Sequence, residues 1–138
     1  MKAFCKAAIG VAFATLFCGS SIAAQTEVDP RDFISELEGR TAWFRSLDGA
    51  LVGIERFEGD GSTLWLRSNG SCTRGRITYE DGALCFRYED SPSELHCWRT
   101  FRDGERLVVV EATAGLSVQV IDRISNAPLD CAAPDAGV

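Results

Sequence analysis

The sequence predicts an all-β protein: an eight-stranded antiparallel up-and-down barrel preceded by a short helix. A two-sheet β-sandwich is the alternative arrangement of the same strands. Three observations lead there. Asp-Gly or Asn-Gly pairs recur at 48–49, 60–61, 69–70, 81–82 and 103–104, and such pairs supply the positive φ angles of tight hairpin turns. Between them, apolar and polar residues alternate at the period of a strand. A meander in so short a chain can hide its edges by closing on itself.

The elements follow in order. Residues 1–24 read as a secretory signal peptide: Lys2 and Lys6, an apolar run from Ala7 to Phe17, then small residues up to a cleavage point after Ala23 or Ala24. The run is too short to span a bilayer. Cleavage after Ala24 leaves 114 of the 138 residues, one small domain. Residues 25–39 form an N-terminal arm. In it Asp29 can cap a helix, Pro30 suits its first position and Gly39 can stop the chain. Phe33, Ile34 and Leu37 share one face of that helix.

The barrel domain occupies residues 40–123. Its strands are expected near 40–47, 50–58, 62–68, 71–80, 83–89, 95–102, 105–111 and 116–123, with the longest connection at 89–94. Residues 124–138 form a loop-like tail, tied down at Cys131.

Each Asp-Gly or Asn-Gly pair, taken as the centre of a two-residue turn, fixes a register. Tyr79 then faces Leu84, Ile77 faces Phe86, Leu66 faces Thr73, Leu64 faces Gly75, Phe57 faces Leu64, Phe44 faces Gly53 and Trp98 faces Val109. The inward face receives Phe44, Leu51, Phe57, Leu64, Leu66, Ile77, Tyr79, Leu84, Phe86, Trp98, Leu107 and Val109. The outward face receives the mid-strand arginines 45, 56, 67, 74, 76, 87, 99 and 106, together with an apolar group of Trp43, Val52, Ile54 and Trp65. That group is expected to lie under the N-terminal helix, or else to be a partner-binding patch.

Four cysteines remain once Cys5 and Cys18 leave with the leader, an even number in a small exported domain. Cys85 points outward opposite Thr78, and Cys72 lies six positions further along that strand, roughly 20 Å away at strand rise. Disulfide Cα atoms sit within about 7 Å of one another, so Cys72 does not reach Cys85. Cys97 can lie beside Cys85, which pairs Cys85 with Cys97 and, by elimination, Cys72 with Cys131. The only histidine, His96, neighbours Cys97. Adjacent strand residues point to opposite faces, so neither a metal site nor a Cys–His catalytic pair forms from them. No metal and no cofactor is expected.

Glu55, His96 and Glu111 break the inward apolar pattern. The registers place His96 across from Glu111, with Tyr88 on the next strand, near the end that carries the long connection. Tyr88, His96, Glu111 and Glu55 are therefore the candidate ligand-binding residues. The plainer reading of His96 and Glu111 is a water-facing rim. Glu55 lies deeper; either the register is misjudged there, or a bulge at Gly53 turns it aside, or it needs a buried partner.

The order Gly70-Ser-Cys-Thr-Arg-Gly-Arg-Ile-Thr-Tyr-Glu-Asp-Gly-Ala-Leu-Cys-Phe-Arg-Tyr88, followed by His96-Cys97-Trp98, resembles small secreted β-barrel proteins of Gram-negative bacteria over about residues 40–110. The meander is also similar to that of the lipocalin (calycin) superfold. In the stretch from Gly39, Thr41 stands where that superfold's first strand has its tryptophan, and Trp43 comes two positions later. The resemblance implies a fold and a periplasmic or secreted location.

Charge excludes some partners. Both lysines lie in the leader, so residues 25–138 carry 12 arginines against 20 acids, a net of −8. Nucleic acid is not expected as a partner, nor is membrane insertion after signal cleavage. The first functional expectation is a monomeric, non-enzymatic barrel that binds a small, partly apolar ligand. The second is a binder or inhibitor of an envelope or secreted enzyme of protease or lysozyme type, acting through residues 25–38 or the outward patch. An enzyme is the third, disfavoured by the single histidine and the lack of a Gly-x-Ser-x-Gly elbow.

Overall fold

Turn chemistry decides how the strands meet. In the computed structural model, which describes residues 25–131, eight strands close into an antiparallel barrel. They are β2 (Thr41–Ser46), β3 (Leu51–Phe57), β4 (Ser62–Arg67), β5 (Cys72–Glu80), β6 (Ala83–Tyr88), β7 (His96–Asp103), β8 (Arg106–Glu111) and β9 (Val118–Ser125). Each pairs with the next, and β9 pairs back with β2 to complete the ring. The expected leader and the tail beyond Cys131 lie outside the described residues.

Among the described residues a short strand β1 (Thr26–Glu27) and a helix, α1 (Pro30–Ser35), precede the barrel. Asp29 caps α1 by accepting the Arg31 amide at 2.8 Å, and Pro30 opens it. β6 covers β7 only at residues 96–98, and β1 takes the next free stretch of that edge, pairing with Arg102 and Phe101. Thr100 donates its hydroxyl to the Val28 carbonyl at 2.7 Å, and Arg99 pairs with Glu27.

α1 does not lie over an outward patch. It closes the end of the barrel at which β6 and β8 begin. Phe33 and Leu37 are fully buried and Ile34 nearly so, and Phe33 lines the barrel interior. Gly39, at φ +69°, donates to the Phe57 carbonyl at 2.8 Å and turns the chain into β2. The expected shield over Trp43, Ile54 and Trp65 is thus replaced by a plug, in which Phe33, Ile34 and Leu37 join the core cluster of Phe44, Phe57, Leu84 and Phe86.

The outer face of β2–β4 is crossed instead by the tail. The Ala127 carbonyl accepts from Thr41 at 2.7 Å, Asn126 from Arg56, and Cys131 bonds to Cys72. Arg123 stacks over Trp43, 4.3 Å from its ring centre. Both disulfides have the expected partners. Cys85 and Cys97 sit directly opposite one another with Cα atoms 4.0 Å apart, and Cys72 and Cys131 are 5.9 Å apart.

The register expectations hold for β5–β6, where Tyr79 faces Leu84 and Ile77 faces Phe86, and for Phe44 opposite Gly53. They fail around β4. The turns at 60–61 and 69–70 are three-residue loops, Gly59–Gly61 and Ser68–Gly70. Gly61 and Gly70 take φ of +81° and +88°, and Asp60 and Asn69 each accept the amide two residues on. Each loop shifts the pairing by one residue, so β4 is inverted against both neighbours: Trp65 faces Thr73 and Glu55, and Thr63 faces Gly75 and Phe57. Thr63, Trp65 and Arg67 therefore point inward, and Leu64 and Leu66 outward. Around Asp103-Gly104 the pairing moves by two residues, with Trp98 opposite Glu111, which leaves the faces unchanged.

Candidate functional site

The barrel is plugged by α1 at one end and carries the long 89–95 connection at the other. Between them lies a cavity of about 160 Å³. Phe33 and Phe57 form its floor, Phe44, Trp65, Leu84, Phe86, Trp98 and Val109 its walls, and Arg67, Tyr88, His96 and Gln119 its mouth, with Glu55 set into the wall.

Two inward glycines make room for the rings. A Cβ on Gly53 would stand 2.4 Å from the Trp65 indole, and one on Gly75 would stand 2.6 Å from the Thr63 hydroxyl and 2.8 Å from the Tyr88 ring. In a strand interior such glycines mark close approach across the sheet. Gly75→Ala is expected to push Tyr88 from its place and to destabilise the protein by about 1–3 kcal/mol, as overpacking does. A urea titration of the variant measures the loss.

Glu55 is inward and 3% exposed. The pairing of β2 with β3 does slip, between Phe44 and Arg45, yet Ala42 still faces Glu55 and the slip does not turn the carboxyl out. Its buried partner is Tyr88, whose hydroxyl donates to Glu55 Oε1 at 3.1 Å. Burial drives the Glu55 pKa up to about 8; the neighbouring Thr63 and Tyr88 hydroxyls oppose the rise and do not cancel it. Thr63 Oγ1 is close enough to act on the carboxylate, but it is buried without a hydrogen bond of normal geometry. Tyr88 in turn is held well above the ordinary phenol range, first by burial and then by the negative charge of Glu55. Near neutral pH the pair is thus a protonated acid beside a neutral phenol.

The other candidates are placed differently. His96 lies at the mouth with its ring 5.8 Å from that of Tyr88. It does not face Glu111. Phe86 stands opposite it, and its Nε2 lies 3.5 Å from Glu94. Glu111 is opposite Trp98 and outside the cavity lining. The two-residue shift at the 103–106 turn separates the expected His96–Glu111 pair. Trp65 and Arg67 were not legible as site residues, because their inward orientation depends on the inversion of β4. Arg67 is joined to Asp90 at 2.9 Å.

Among the described residues there is no cluster of three or more His, Cys, Asp or Glu side chains suited to a metal ion. No helix among them is long and apolar enough to cross a membrane. The two disulfides fit an oxidising, extracellular or periplasmic environment. Comparison of the chain with protein-family models, with curated proteins and with solved structures finds no match.

Proposed function

We propose that this chain is an exported, non-enzymatic barrel that binds one small, partly apolar molecule in its interior. The supporting observation is the aromatic-walled cavity with a single buried polar pair, Glu55 and Tyr88. A few placed polar groups in a concave apolar site are the usual makeup of a small-molecule site. The volume of about 160 Å³ sets the scale: cavities of roughly 150 Å³ hold benzene-sized guests, whereas drug-sized ligands need about 300 Å³ or more. The reading is therefore a one-ring guest entering past His96 and Arg67. A periplasmic or secreted location after removal of residues 1–24, a monomeric state and kinship with small secreted Gram-negative barrels belong to the same proposal.

The three tryptophans provide the test. Trp65 and Trp98 line the cavity, and Trp43 lies outside under Arg123. Titration with benzyl alcohol is expected to move the indole NMR signals of Trp65 and Trp98 and to leave that of Trp43 in place. Saturating ligand that moves none of the three would refute a binding cavity.

Docking to an envelope enzyme is the second reading. It draws on Leu47 and Leu116, 74% and 88% exposed, on the connections that flank the paired Ser46 and Gln119 at the mouth end. Co-purification of a stoichiometric protein partner lost on Leu116→Ser would favour it.

A further inference from the structure

We propose that the cavity selects a small organic cation, a primary amine carrying one ring or a short apolar group, with its ammonium against Glu55 and its apolar part among Phe44, Trp65, Phe86 and Trp98. The proposal rests on the reading that the barrel interior binds a ligand, and it names the chemistry of that ligand.

Four observations carry it. Among the described residues Glu55 is the only carboxylate lining the cavity, and the other ionisable side chains of the lining are Arg67, Tyr88 and His96 at the mouth. A buried acid in an apolar wall is costly to keep charged unless an opposite charge meets it, and the protein meets Glu55 with hydroxyls alone, that of Tyr88 at 3.1 Å and that of Thr63 beside it. The Thr63 hydroxyl is buried without a hydrogen bond of normal geometry, so polar demand at this level of the barrel is not fully met by the chain alone. Aromatic rings surround the acid: Trp65 is its direct cross-strand neighbour and packs edge-on against Phe44, and Tyr88 stacks on Phe86. Ring faces attract a cation and offer nothing to an anion.

The mouth agrees with this choice. Arg67 is engaged by Asp90 at 2.9 Å, and His96 by Glu94 at 3.5 Å. Among the described residues a carboxylate ligand would therefore find Arg67 and His96 each already facing an acid along the lining, and a further acid, Glu55, within it. The acidic balance of the chain, net −6, draws cations toward it.

Binding has a definite proton balance. The empty site holds a neutral Glu55 carboxyl near neutral pH, since its pKa stands at about 8. An amine arrives as its ammonium. The ion pair forms when Glu55 gives its proton to solvent, so that ammonium plus carboxylic acid becomes an ammonium–carboxylate pair plus one released proton. The charged or titratable groups facing Glu55 are Tyr88 from β6, Arg67 from β4 with Asp90, and His96 from β7 with Glu94. The lining residues of α1, β2, β8 and β9 are Phe33, Phe44, Val109 and Gln119, none of which titrates.

Calorimetry on the leader-free chain tests the idea, with benzylamine and its neutral isostere benzyl alcohol at pH 6, 7 and 8. Buffers of different ionisation enthalpy count the protons released. NMR of the single histidine in the same titrations separates its own charge change from that of Glu55. Benzylamine is expected to bind at least tenfold more tightly than benzyl alcohol at pH 8. Its affinity should rise about tenfold from pH 6 to pH 7, with about one proton released at pH 7. Glu55→Gln should erase the difference between the two compounds. Equal binding of both with no proton release would overturn the cation proposal and keep the cavity. Binding of neither, in protein with an intact fold, would overturn the cavity reading and the cation with it.

Discussion

Glu55→Gln is expected to remove most of the protein's loss of stability between mildly acidic and alkaline pH. In the unfolded chain the carboxyl has its ordinary value of 4.5; in the folded barrel it stands at about 8. The folded state therefore binds the proton more tightly, and its advantage is complete below pH 4.5. As pH rises, the unfolded chain ionises freely while the folded one must either keep the proton or bury a charge. Stability falls through the window from about 4.5 to 8 and then levels off. The shift corresponds to at most about 5 kcal/mol, a large part of the roughly 5–15 kcal/mol typical of a small domain. Glutamine is close to an isostere of the protonated acid and cannot ionise, so its curve lacks this fall. Urea midpoints of both proteins from pH 4 to 9 measure it. Parallel curves would mean that Glu55 titrates in the folded state as it does in the unfolded chain, and would overturn the raised pKa.

Phe33→Ala should cost about 3–5 kcal/mol, the usual range for truncating a buried phenylalanine. The side chain is fully buried and forms part of the cavity floor. Removing it opens the existing space from below, and the surrounding rings belong to paired strands that cannot collapse inward to fill it. Urea denaturation gives the size of the effect. A cost below about 1 kcal/mol would mean that α1 is loosely seated and not a plug. The variant also bears on ligand size: an enlarged cavity should admit a two-ring guest such as naphthalene, which the native volume of about 160 Å³ excludes.

Much of the architecture was legible in the chain because it is set by local chemistry. Asp29-Pro30 placed the start of α1, and alternation placed the strands. Asp81-Gly82 fixed the β5–β6 register, since Asp81 does take a positive φ of 50° beside Gly82 at 75°, as a two-residue turn demands. From that register followed the outward Cys85 and its bond to Cys97. The inward Glu55 was also visible, as an acid at an apolar position.

Other features were beyond local reading. Asp60-Gly61 and Asn69-Gly70 look like Asp81-Gly82 in sequence, but each closes a three-residue loop in which only the last residue, Gly61 or Gly70, has positive φ. A one-residue change in loop length reverses the face of a strand, so two such loops turned β4 over and brought Trp65 and Arg67 into the site while β3 and β5 kept their faces. Nor could periodicity say which surface the Phe33, Ile34 and Leu37 face would cover, since an apolar stripe specifies burial without specifying a partner. The strands, the disulfide partners and the buried acid could be read from the chain, since all are set by short-range geometry and side-chain parity. The plug, the orientation of β4 and the pairing of Glu55 with Tyr88 emerge with the fold, because each depends on the closed ring bringing together residues far apart in the chain.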